Sequence, residues 1–447
     1  MVRVITYGTY DVLHYGHIKL LERAKELGDY LIVGVTSDDY DKTRGKINNQ
    51  QSLMERIAAV KATGIADEVI VEEYEGQKIE DIRKYGVDIF TVGSDWIGYF
   101  DYLNEFCNVV YLPRTLGVSS SEIRESRRSI SLGLVGESSF LNKFYKECDV
   151  VNGLNVVGIC AQDERYLSEE IRGLPILTDD YSKLLEKVDA VYIRSQPNQH
   201  YRQIKEAILA GKHILCEAPR SLIEKQWDEL SLLAQAHEVI LMDAVKTAYA
   251  TAYARLLLLL KCGKIGEVVS VDSTCTSLIS EDIVGSDAFK CSWDNIYEWG
   301  PTALLPVFQI LGTEYKEVKI AVRYADKKQK HDMFVKMNLL YPSAVASIKI
   351  GNGVKSEGEL IISGTKGYIY VPAPWWKTDY FEIRYEDQAL NRRYFYQLDG
   401  EGIRYELVSF IKSIEEKKNH LEISSKVSKG ITKIMEKFVN KEDLSII

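Results

Sequence analysis

Two histidines, His14 and His17, lie three residues apart in the run GTYDVLHYGH, with Gly16 between them. The run follows VRVITYG, whose β-branched residues are typical of a buried strand, and it precedes a segment with helical spacing of apolar residues. The N-terminus of a helix offers unpaired backbone N–H groups and the positive end of a dipole to a phosphate. Imidazoles placed there can stabilise charge that develops on a phosphoryl group. Alternatively, both histidines only cap the helix, which is the better interpretation for an isolated pair.

Cationic residues follow in the next part of the chain. The segment KTRGK, residues 42–46, contains Arg44 and Lys46, and Arg56 and Lys78 come later. Such groups could neutralise the charge of a phosphorylated substrate. Alternatively they form a solvated charged surface, and the residues alone favour this second interpretation.

Strand and helix patterns alternate around these residues. Residues 16–27 carry apolar side chains at helical spacing, and strand patterns occupy 2–8, 30–36, 68–73, 89–94 and 108–113. Alternation of this kind predicts a parallel sheet that is covered by helices on both faces.

A second α/β pattern begins at SISLGLVG, residues 129–136, after a polar segment, SSSEIRESRRS, that predicts a terminal helix and a linker. Strand patterns follow at 155–161, 189–195, 213–219 and 238–244. After about residue 265 the runs are longer and alternate with period two, which predicts an antiparallel sheet with one open face. The segment 402–438 has a helical pattern. We therefore expect an α/β protein with domains at 1–126, 127–245 and 246–447.

The composition excludes several classes of protein. A chain of 447 residues with 46% hydrophobic and 27% charged residues is an ordinary globular protein with more than one core. A net charge of −9 gives no basic surface for nucleic acid or an anionic membrane. The seven cysteines are scattered without metal-ligand spacing, which favours reduced thiols. Without a signal peptide or a long apolar run, we expect a cytoplasmic protein that acts on small molecules.

The first 126 residues resemble the cytidylyltransferase superfamily, whose signature is HxGH preceded by GTYD, and within it the bacterial glycerol-3-phosphate cytidylyltransferases. The runs VITYGTYDVLHYGHIKLLERAKELGDYLIVGV, VGSDW and VVYLPRTLGVSSSEI carry the resemblance. It implies a Rossmann-like domain that converts CTP and a polyol phosphate into a CDP-polyol and pyrophosphate. Such products supply teichoic acids or capsular polysaccharides. Mg²⁺ is expected with CTP, although no acidic cluster for a metal stands out.

The resemblance also implies roles for individual residues. His14, His17, Lys46 and Arg114 would hold the triphosphate and stabilise the transition state. The nucleotide site would be formed by Gly8, Thr9, Tyr10, Asp11, Gly16, Asp95, Thr115, Gly117, Val118, Ser119, Ser120 and Ser121. The acceptor phosphate would contact Arg44, Arg56, Lys78 and Trp96. Because Arg44 stands where the family usually has lysine, the identity of the acceptor is open.

Alternatives to this activity change the substrate or remove the chemistry. HxGH enzymes also include adenylyltransferases and transferases that act on amino-alcohol phosphates. A scaffolding protein with two degenerate sites is the third alternative, and the intact HxGH and RTxGxSSS motifs argue against it for the first domain. The proposed chemistry needs only alignment and charge neutralisation, because the acceptor oxygen is already an anion.

Residues from about 129 to 440 resemble the Gfo/Idh/MocA oxidoreductase family, through DAVYIRSQPNQHYRQIKEAILAGKHILCEAP, KCGKIGEVVSV and ISGTKGYIYVPAPWW. This implies a Rossmann domain followed by an α+β domain with a large, mostly antiparallel open sheet. Residues expected to bind NAD(P)H are Gly133, Gly136, Ser138, Ser195, Pro197, Asn198, His200 and Glu217.

The residues of this family's chemistry are partly missing. In the G-x-G-x-x-G loop, Ser138 and Leu141 replace the second and third glycines, and Ala161 and Gln162 stand at the ribose position, with Asp163 close behind. The E-K-P tripeptide reads Glu217-Ala218-Pro219, and Glu298 and Thr302 replace the family's aspartate and histidine, although Lys246 could substitute for the lost lysine.

These losses favour a non-catalytic domain for oligomerisation or ligand sensing. The alternatives are a reductase that converts a keto-sugar phosphate, or its CDP derivative, with NAD(P)H into the alditol, or another reaction in the same cleft. We expect a homo-oligomer, a dimer or tetramer, because an open sheet face otherwise stays exposed.

Overall fold

The computed structural model describes residues 1–38, 49, 51–74, 76–113, 129–151, 153–280, 286, 292–325, 331–396 and 398–447. The chain forms two compact units, Met1–Ser129 and Ile130–Ile447. Within these ranges, no helix has both the length and the apolar character needed to cross a membrane.

The first unit contains a five-stranded parallel sheet in the order β3-β2-β1-β4-β5. Its strands are β1 Arg3–Gly8, β2 Tyr30–Thr36, β3 Glu68–Glu72, β4 Ile89–Gly93 and β5 Asn108–Leu112. Its helices are α1 Tyr15–Glu26, α2 Leu53–Ala62 and α3 Gln77–Tyr85, and short 3₁₀ helices lie at Ser94–Trp96 and Asp101–Glu105. The predicted parallel sheet is confirmed.

Apolar clusters cover both faces of this sheet. Leu21 and Ala24 of α1 pack with Val33 on one face, whereas Ile82 of α3 packs with Phe90 on the other. The strand order changes direction at β1, which lies between β2 and β4. In open α/β sheets the crevice at such a switch point, outside the carboxyl ends of the strands, binds ligands.

The second unit begins with a six-stranded parallel sheet in the order β11-β10-β9-β6-β7-β8. Its strands are β6 Ile130–Val135, β7 Leu154–Cys160, β8 Ile176–Thr178, β9 Ala190–Ile193, β10 His213–Glu217 and β11 Leu241–Ala244. The helices are α4 Phe140–Cys148, α5 Glu169–Arg172, α6 Tyr181–Leu185, α7 Pro197–Leu209 and α8 Glu224–Ala236. Strand β8 was not predicted, because three residues are too short for a period to be recognised.

A nine-stranded sheet follows, in the order β19-β18-β17-β16-β12-β15-β14-β13-β20. Its strands are β12 Val268–Thr276, β13 Glu317–Tyr324, β14 Asp332–Leu340, β15 Val345–Gly351, β16 Leu360–Gly364, β17 Tyr368–Val371, β18 Tyr380–Arg384, β19 Arg392–Phe395 and β20 Leu444–Ile446. Among the described strands of this sheet, only β12–β15 and β13–β20 pair in parallel, so the predicted mostly antiparallel sheet is confirmed.

The helices of this second part are α9 Thr251–Lys261, α10 Asn295–Glu298, α11 Gly300–Leu311, α12 Ile403–Glu415 and α13 Ser425–Asn440. The segment predicted to be helical at 402–438 is thus two helices with a break between Glu415 and Ser425. Burial alternates along β13, so one face of the sheet is buried and the other exposed. The domain boundaries at 126 and 245 stay predictions.

Candidate functional sites

His14 and His17 lie at the N-terminus of α1, where the chain leaves β1. His14 is the N-cap residue, and its Nδ1 accepts a 3.1 Å hydrogen bond from the Gly16 backbone N–H. The two imidazole rings stack with centroids 3.9 Å apart and planes inclined by 22°. The Tyr10 ring meets the His17 ring edge-on at 5.5 Å. His14 therefore does cap the helix, as the alternative interpretation requires, and it also holds a second imidazole beside the helix N-terminus.

The turn before these histidines has an uncommon backbone conformation. Tyr10 and Val12 have φ values of +52° and +46°, which bulky side chains rarely adopt. Gln51 stabilises the turn through two hydrogen bonds. Its side-chain Oε1 accepts a 2.9 Å bond from the Val12 N–H, and its backbone N–H donates a 3.0 Å bond to Asp11 Oδ1. Asp11 therefore positions the turn. No motif in the sequence indicated Gln51.

Arg56 joins three separate segments of the first unit. Its side chain is fully buried, and it donates to the carbonyl oxygens of Thr9 at 2.7 Å and Thr36 at 2.8 Å. It also donates to the Gln51 carbonyl at 3.2 Å and pairs with the Asp38 carboxylate. The guanidinium predicted to contact the acceptor is thus engaged in holding the carboxyl ends of β1 and β2 together.

Lys78 lies in a buried polar cluster on the same edge of the sheet. Its ammonium group pairs with the Glu72 carboxylate and lies 4.8 Å from the Tyr7 ring centroid. Thr36 Oγ1 donates a 3.0 Å bond to Glu72 Oε2, so Thr36 connects this cluster to the one around Arg56. Burial raises the pKa of Tyr7 above its ordinary value, and its hydroxyl donates a 2.9 Å bond to Asp81.

Trp96 lies directly after β4, in the short helix that also contains Asp95, whose side chain is outside the described part of the structure. The indole is 36% exposed and packs against Tyr99 at 5.4 Å and Phe100 at 5.8 Å. Phe100 also lies 5.5 Å from the Lys78 ammonium group, so Trp96 and Lys78 flank one aromatic ring.

Several predicted residues lie outside the described residues: Arg44, Lys46, Arg114, Thr115, Gly117, Val118, Ser119, Ser120 and Ser121. The others, apart from the Asp95 side chain, lie after the carboxyl ends of the strands: the turn and histidines after β1, Arg56 on α2, Lys78 on α3 and Trp96 after β4. The first unit therefore brings together the turn at Gly8–Asp11, the two histidines, and the Arg56 and Lys78 clusters.

The second unit has a cleft of about 320 Å³ beside the carboxyl ends of β6, β7 and β9, which we name the β6 cleft. Gly136, Ser138 and Ser195 are among the residues that line it. Gly136 has a φ of +132°, and an added Cβ would lie 2.5 Å from the Arg194 carbonyl oxygen, so only glycine fits there. Gly133 lies inside β6, where an added Cβ would meet Leu184 at 2.9 Å.

The remaining predicted cofactor residues are placed differently. His200 is fully buried, and its ring nitrogens lie 2.8 Å from the Pro219 carbonyl oxygen and 2.9 Å from that of Ser195. Pro197 is buried and Asn198 is exposed, and none of the three lines the β6 cleft. His200 thus positions the loop that carries Ser195.

A second cavity, of about 460 Å³, contains the positions of the missing catalytic residues. Glu217, Ala218, Lys246 and Thr302 line it, and we name it the lysine cavity. The Tyr192 hydroxyl donates to the Glu217 carboxylate, and burial raises the pKa of Glu217. The structure therefore supplies Lys246 and a partly buried carboxyl group where the E-K-P lysine is absent.

Arg194 and Glu298 line both cavities. Arg194 Nη2 lies 2.8 and 2.7 Å from the two oxygens of Glu298, and the guanidinium carbon lies 4.0 Å from the Trp293 ring centroid. Sequence reasoning missed Arg194, which stands inside a matching run without any motif of its own.

Comparisons with known proteins agree with this division into two units. The cytidylyltransferase-like family model matches residues 5–126, and that of the oxidoreductase family with an NAD-binding Rossmann fold matches residues 130–244. Glycerol-3-phosphate cytidylyltransferase of Bacillus spizizenii is 48% identical over 130 residues, which are 29% of this chain and 100% of that protein. The protein of the same name from Staphylococcus aureus is 46% identical over 125 residues, 28% of this chain and 94% of its own length.

Solved structures similar to this chain share its fold at low sequence identity. A 3-ketoreductase from Actinomadura kijaniata in complex with NADP and TDP-benzene has a TM-score of 0.62 at 16% identity, covering 71% of this chain and 99% of its own. A putative oxidoreductase from Yersinia pestis has a TM-score of 0.58 at 15% identity, covering 70% and 95%. The second unit thus has an oxidoreductase fold, and through its first unit the chain belongs to the cytidylyltransferase-like family of nucleotidyltransferases.

Proposed function

We propose that the first unit transfers the cytidylyl group of CTP to the phosphate of a glycerol-like polyol. The acceptor phosphate oxygen attacks the α-phosphorus, the bond to the β-phosphate oxygen breaks, and pyrophosphate leaves with the electron pair. The observation that carries this proposal is the stacked His14–His17 pair at the N-terminus of α1, in a unit 48% identical to a glycerol-3-phosphate cytidylyltransferase along that protein's full length.

The chemistry asks for charge stabilisation rather than a strong base. Two imidazoles at the positive end of a helix dipole can stabilise the charge of the α-phosphoryl group. Lys46 and Arg114 would neutralise the leaving pyrophosphate. Mg²⁺ would enter bound to CTP, because the described residues contain no group of three or more His, Cys, Asp or Glu arranged for a metal ion.

The acceptor is proposed to bind on the side of Lys78 and Trp96, with Arg44 contributing a cation. Lys78 and Trp96 flank the same aromatic ring, Phe100, and the Trp96 indole is 36% exposed beside it. Arg56 would act indirectly, by fixing the turn at Thr9.

The test is incubation of the full chain with CTP, Mg²⁺ and a panel of polyol phosphates, followed by mass spectrometry of the products. His17→Ala is expected to lower turnover by about a hundredfold or more, because it removes stabilisation of the transition state. His237→Ala, an exposed histidine at the end of α8, is the matched control and should keep normal turnover. Near-normal turnover of His17→Ala, or a product formed with ATP instead of CTP, would contradict the proposal.

For the second unit we propose that NAD(P) binds in the β6 cleft. The fit rests on Gly136, whose backbone conformation and lack of a side chain allow the close approach that a pyrophosphate needs. Ser138 stands at the second glycine position, and its hydroxyl accepts a 3.3 Å bond from the Phe140 N–H at the start of α4. The cofactor, when bound, would supply hydride chemistry.

Reduction of a keto-sugar phosphate, or of its CDP derivative, is the second candidate function. Lys246 and the partly buried Glu217 line the same cavity, and either could hold the proton that a carbonyl oxygen receives on reduction. Adding NADPH to the panel tests this: an alditol product that requires NADPH supports a reductase. NADPH that binds, as measured by its fluorescence, but stays unoxidised with every substrate supports a non-catalytic domain.

The cellular setting follows from these proposals. A CDP-polyol made in the cytoplasm would supply the synthesis of teichoic acid or capsular polysaccharide.

We also propose a dimer or tetramer that forms through the exposed face of the nine-stranded sheet, where Leu340 and Val345 are paired and are 44% and 48% exposed. Light scattering of the purified chain tests this, and a monomer at working concentration would contradict it.

A further inference from the structure

Three lysines from distant parts of the chain meet at one carboxylate in the lysine cavity. Lys246 Nζ lies 2.8 Å and Lys377 Nζ 2.5 Å from the oxygens of Glu401, and the Lys143 ammonium group also pairs with this carboxylate. All four residues line the cavity. The group therefore joins three ammonium groups to one carboxylate, and Arg194, Glu217 and Glu298 line the same cavity.

The backbone around Glu401 is arranged to bring its side chain to this point. Gly400, Glu401 and Gly402 have φ values of +58°, +54° and +93°. A Cβ on Gly402 would lie 2.7 Å from the Lys246 carbonyl oxygen, so the turn packs directly on the backbone of Lys246. A left-handed conformation costs a non-glycine residue free energy, which indicates that the surrounding structure holds Glu401 in place.

The carboxylate alone does not balance its three partners. Burial raises the pKa of Glu401, but the hydrogen bonds from Lys143, Lys246 and Lys377 outweigh it and lower the pKa to about 2. The lysine side chains remain 41%, 23% and 40% exposed, respectively. Each ammonium group has three donor hydrogens, so the cluster retains donors that one carboxylate with two oxygens cannot satisfy.

We propose that Lys143, Lys246 and Lys377 form a binding site for the phosphate group of a small phosphorylated substrate in the lysine cavity. A phosphate monoester dianion supplies negative charge and three acceptor oxygens for the ammonium donors that Glu401 leaves unsatisfied. The carbon part of the ligand would lie toward Trp299, Trp376 and Pro374, which also line the cavity. Glu401 holds the lysines together in the absence of ligand and competes with the phosphate for them.

With this site, the second unit would bind phosphorylated compounds, whether or not it reduces them. It rests on the proposed function only in the choice of a short polyol-like carbon chain for the ligand. A cavity of about 460 Å³ is in the range of small-molecule sites, which are about 300–1,000 Å³.

The experiment measures binding of dihydroxyacetone phosphate to the full chain by calorimetry, with dihydroxyacetone as the ligand that lacks the phosphate. Hydrogen–deuterium exchange locates the site, and we expect protection of the segment 398–406 by the phosphate ester only. Lys143→Met and Lys377→Met should each weaken binding about tenfold, because each removes a hydrogen bond to a charged group. Lys319→Met, on an exposed lysine of β13, is the matched control.

Glu401→Gln gives the sharpest result, because a structural ion-pair cluster and a phosphate site predict opposite signs. If Glu401 competes with the ligand, the variant should bind the phosphate ester about threefold tighter or better. If Glu401 instead holds the lysines in their binding geometry, its loss should loosen the turn and weaken binding, which would contradict the competition. Unchanged binding in all three variants, or equal protection by dihydroxyacetone, would overturn the proposal.

The same samples separate this inference from the proposed function. Cytidylyl transfer should be unchanged in Lys143→Met and Lys377→Met, since both residues lie in the second unit. Transfer without protection at 398–406 would contradict only this inference. Protection of the segment 398–406 without any cytidylyl transfer would contradict only the proposed cytidylyltransferase activity.

Discussion

Arg56→Lys is the substitution that best tests how the first unit holds its site. The guanidinium donates to three backbone carbonyls, those of Thr9, Thr36 and Gln51, and pairs with Asp38 from a fully buried position. A lysine keeps the charge but presents a single nitrogen on a shorter reach, so at least two of these interactions are lost. At about 1.5 kcal/mol for each hydrogen bond to a charged group, the loss is about 3 kcal/mol.

Differential scanning calorimetry of the full chain measures this effect. For a unit of this size, about 3 kcal/mol corresponds to a fall of about 10 °C in the transition of the first unit. Arg23→Lys, which affects one exposed bond to the Pro113 carbonyl, should change stability by less than about 1 kcal/mol.

Kinetics then separate positioning from direct contact. If Arg56 only positions the turn, the variant assayed well below its Tm should lose kcat for every acceptor by a similar factor. A normal Tm combined with a raised KM for the acceptor alone would refute this reasoning and would restore Arg56 as an acceptor ligand.

Three further predictions concern buried groups. Lys78→Met should destabilise the first unit by about 3 kcal/mol because Glu72 stays buried without its cation, and adding Glu72→Gln should recover part of that loss in urea titrations. Gly136→Ala should abolish NADPH binding and lower the Tm of the second unit, whereas Gly211→Ala, with a φ of +70° and open space around it, should show only backbone strain. Burial lowers the pKa of His200 to about 4, below the value of about 6.5 in the unfolded chain. The contribution of the neutral imidazole to the free energy of unfolding is therefore full above pH 6.5 and should be lost as the pH falls toward 4, by up to about 3 kcal/mol. A His200→Gln variant whose stability shows the same pH dependence would contradict this.

The sequence allowed both parallel sheets to be predicted, because runs such as YLIVGVT and HILCEAP are continuous apolar strands bounded by turns. Strands β8 and β20 could not be recognised, since three residues carry no period. In β14, Met and Phe at intermediate positions hide the alternation. Local pattern was therefore sufficient for the continuous apolar strands and insufficient for the three-residue strands and for β14.

The candidate sites show the same limit. The His14–Gly16–His17 group is local, so its spacing alone predicted a helix N-terminus with two imidazoles. Contacts between distant segments had no such signal. Gln51 contacts Asp11, which lies 40 positions earlier in the chain, and Glu401 contacts Lys143, which lies near the start of the second unit. Such contacts depend on how whole helices and strands pack together, and no local sequence pattern indicates that packing.

The Arg194–Glu298 ion pair lies where the β6 cleft and the lysine cavity meet, because both residues line each of them. A molecule in either cavity would lie beside this pair. A ligand that competes for Arg194 or Glu298 in one cavity would therefore change the lining of the other.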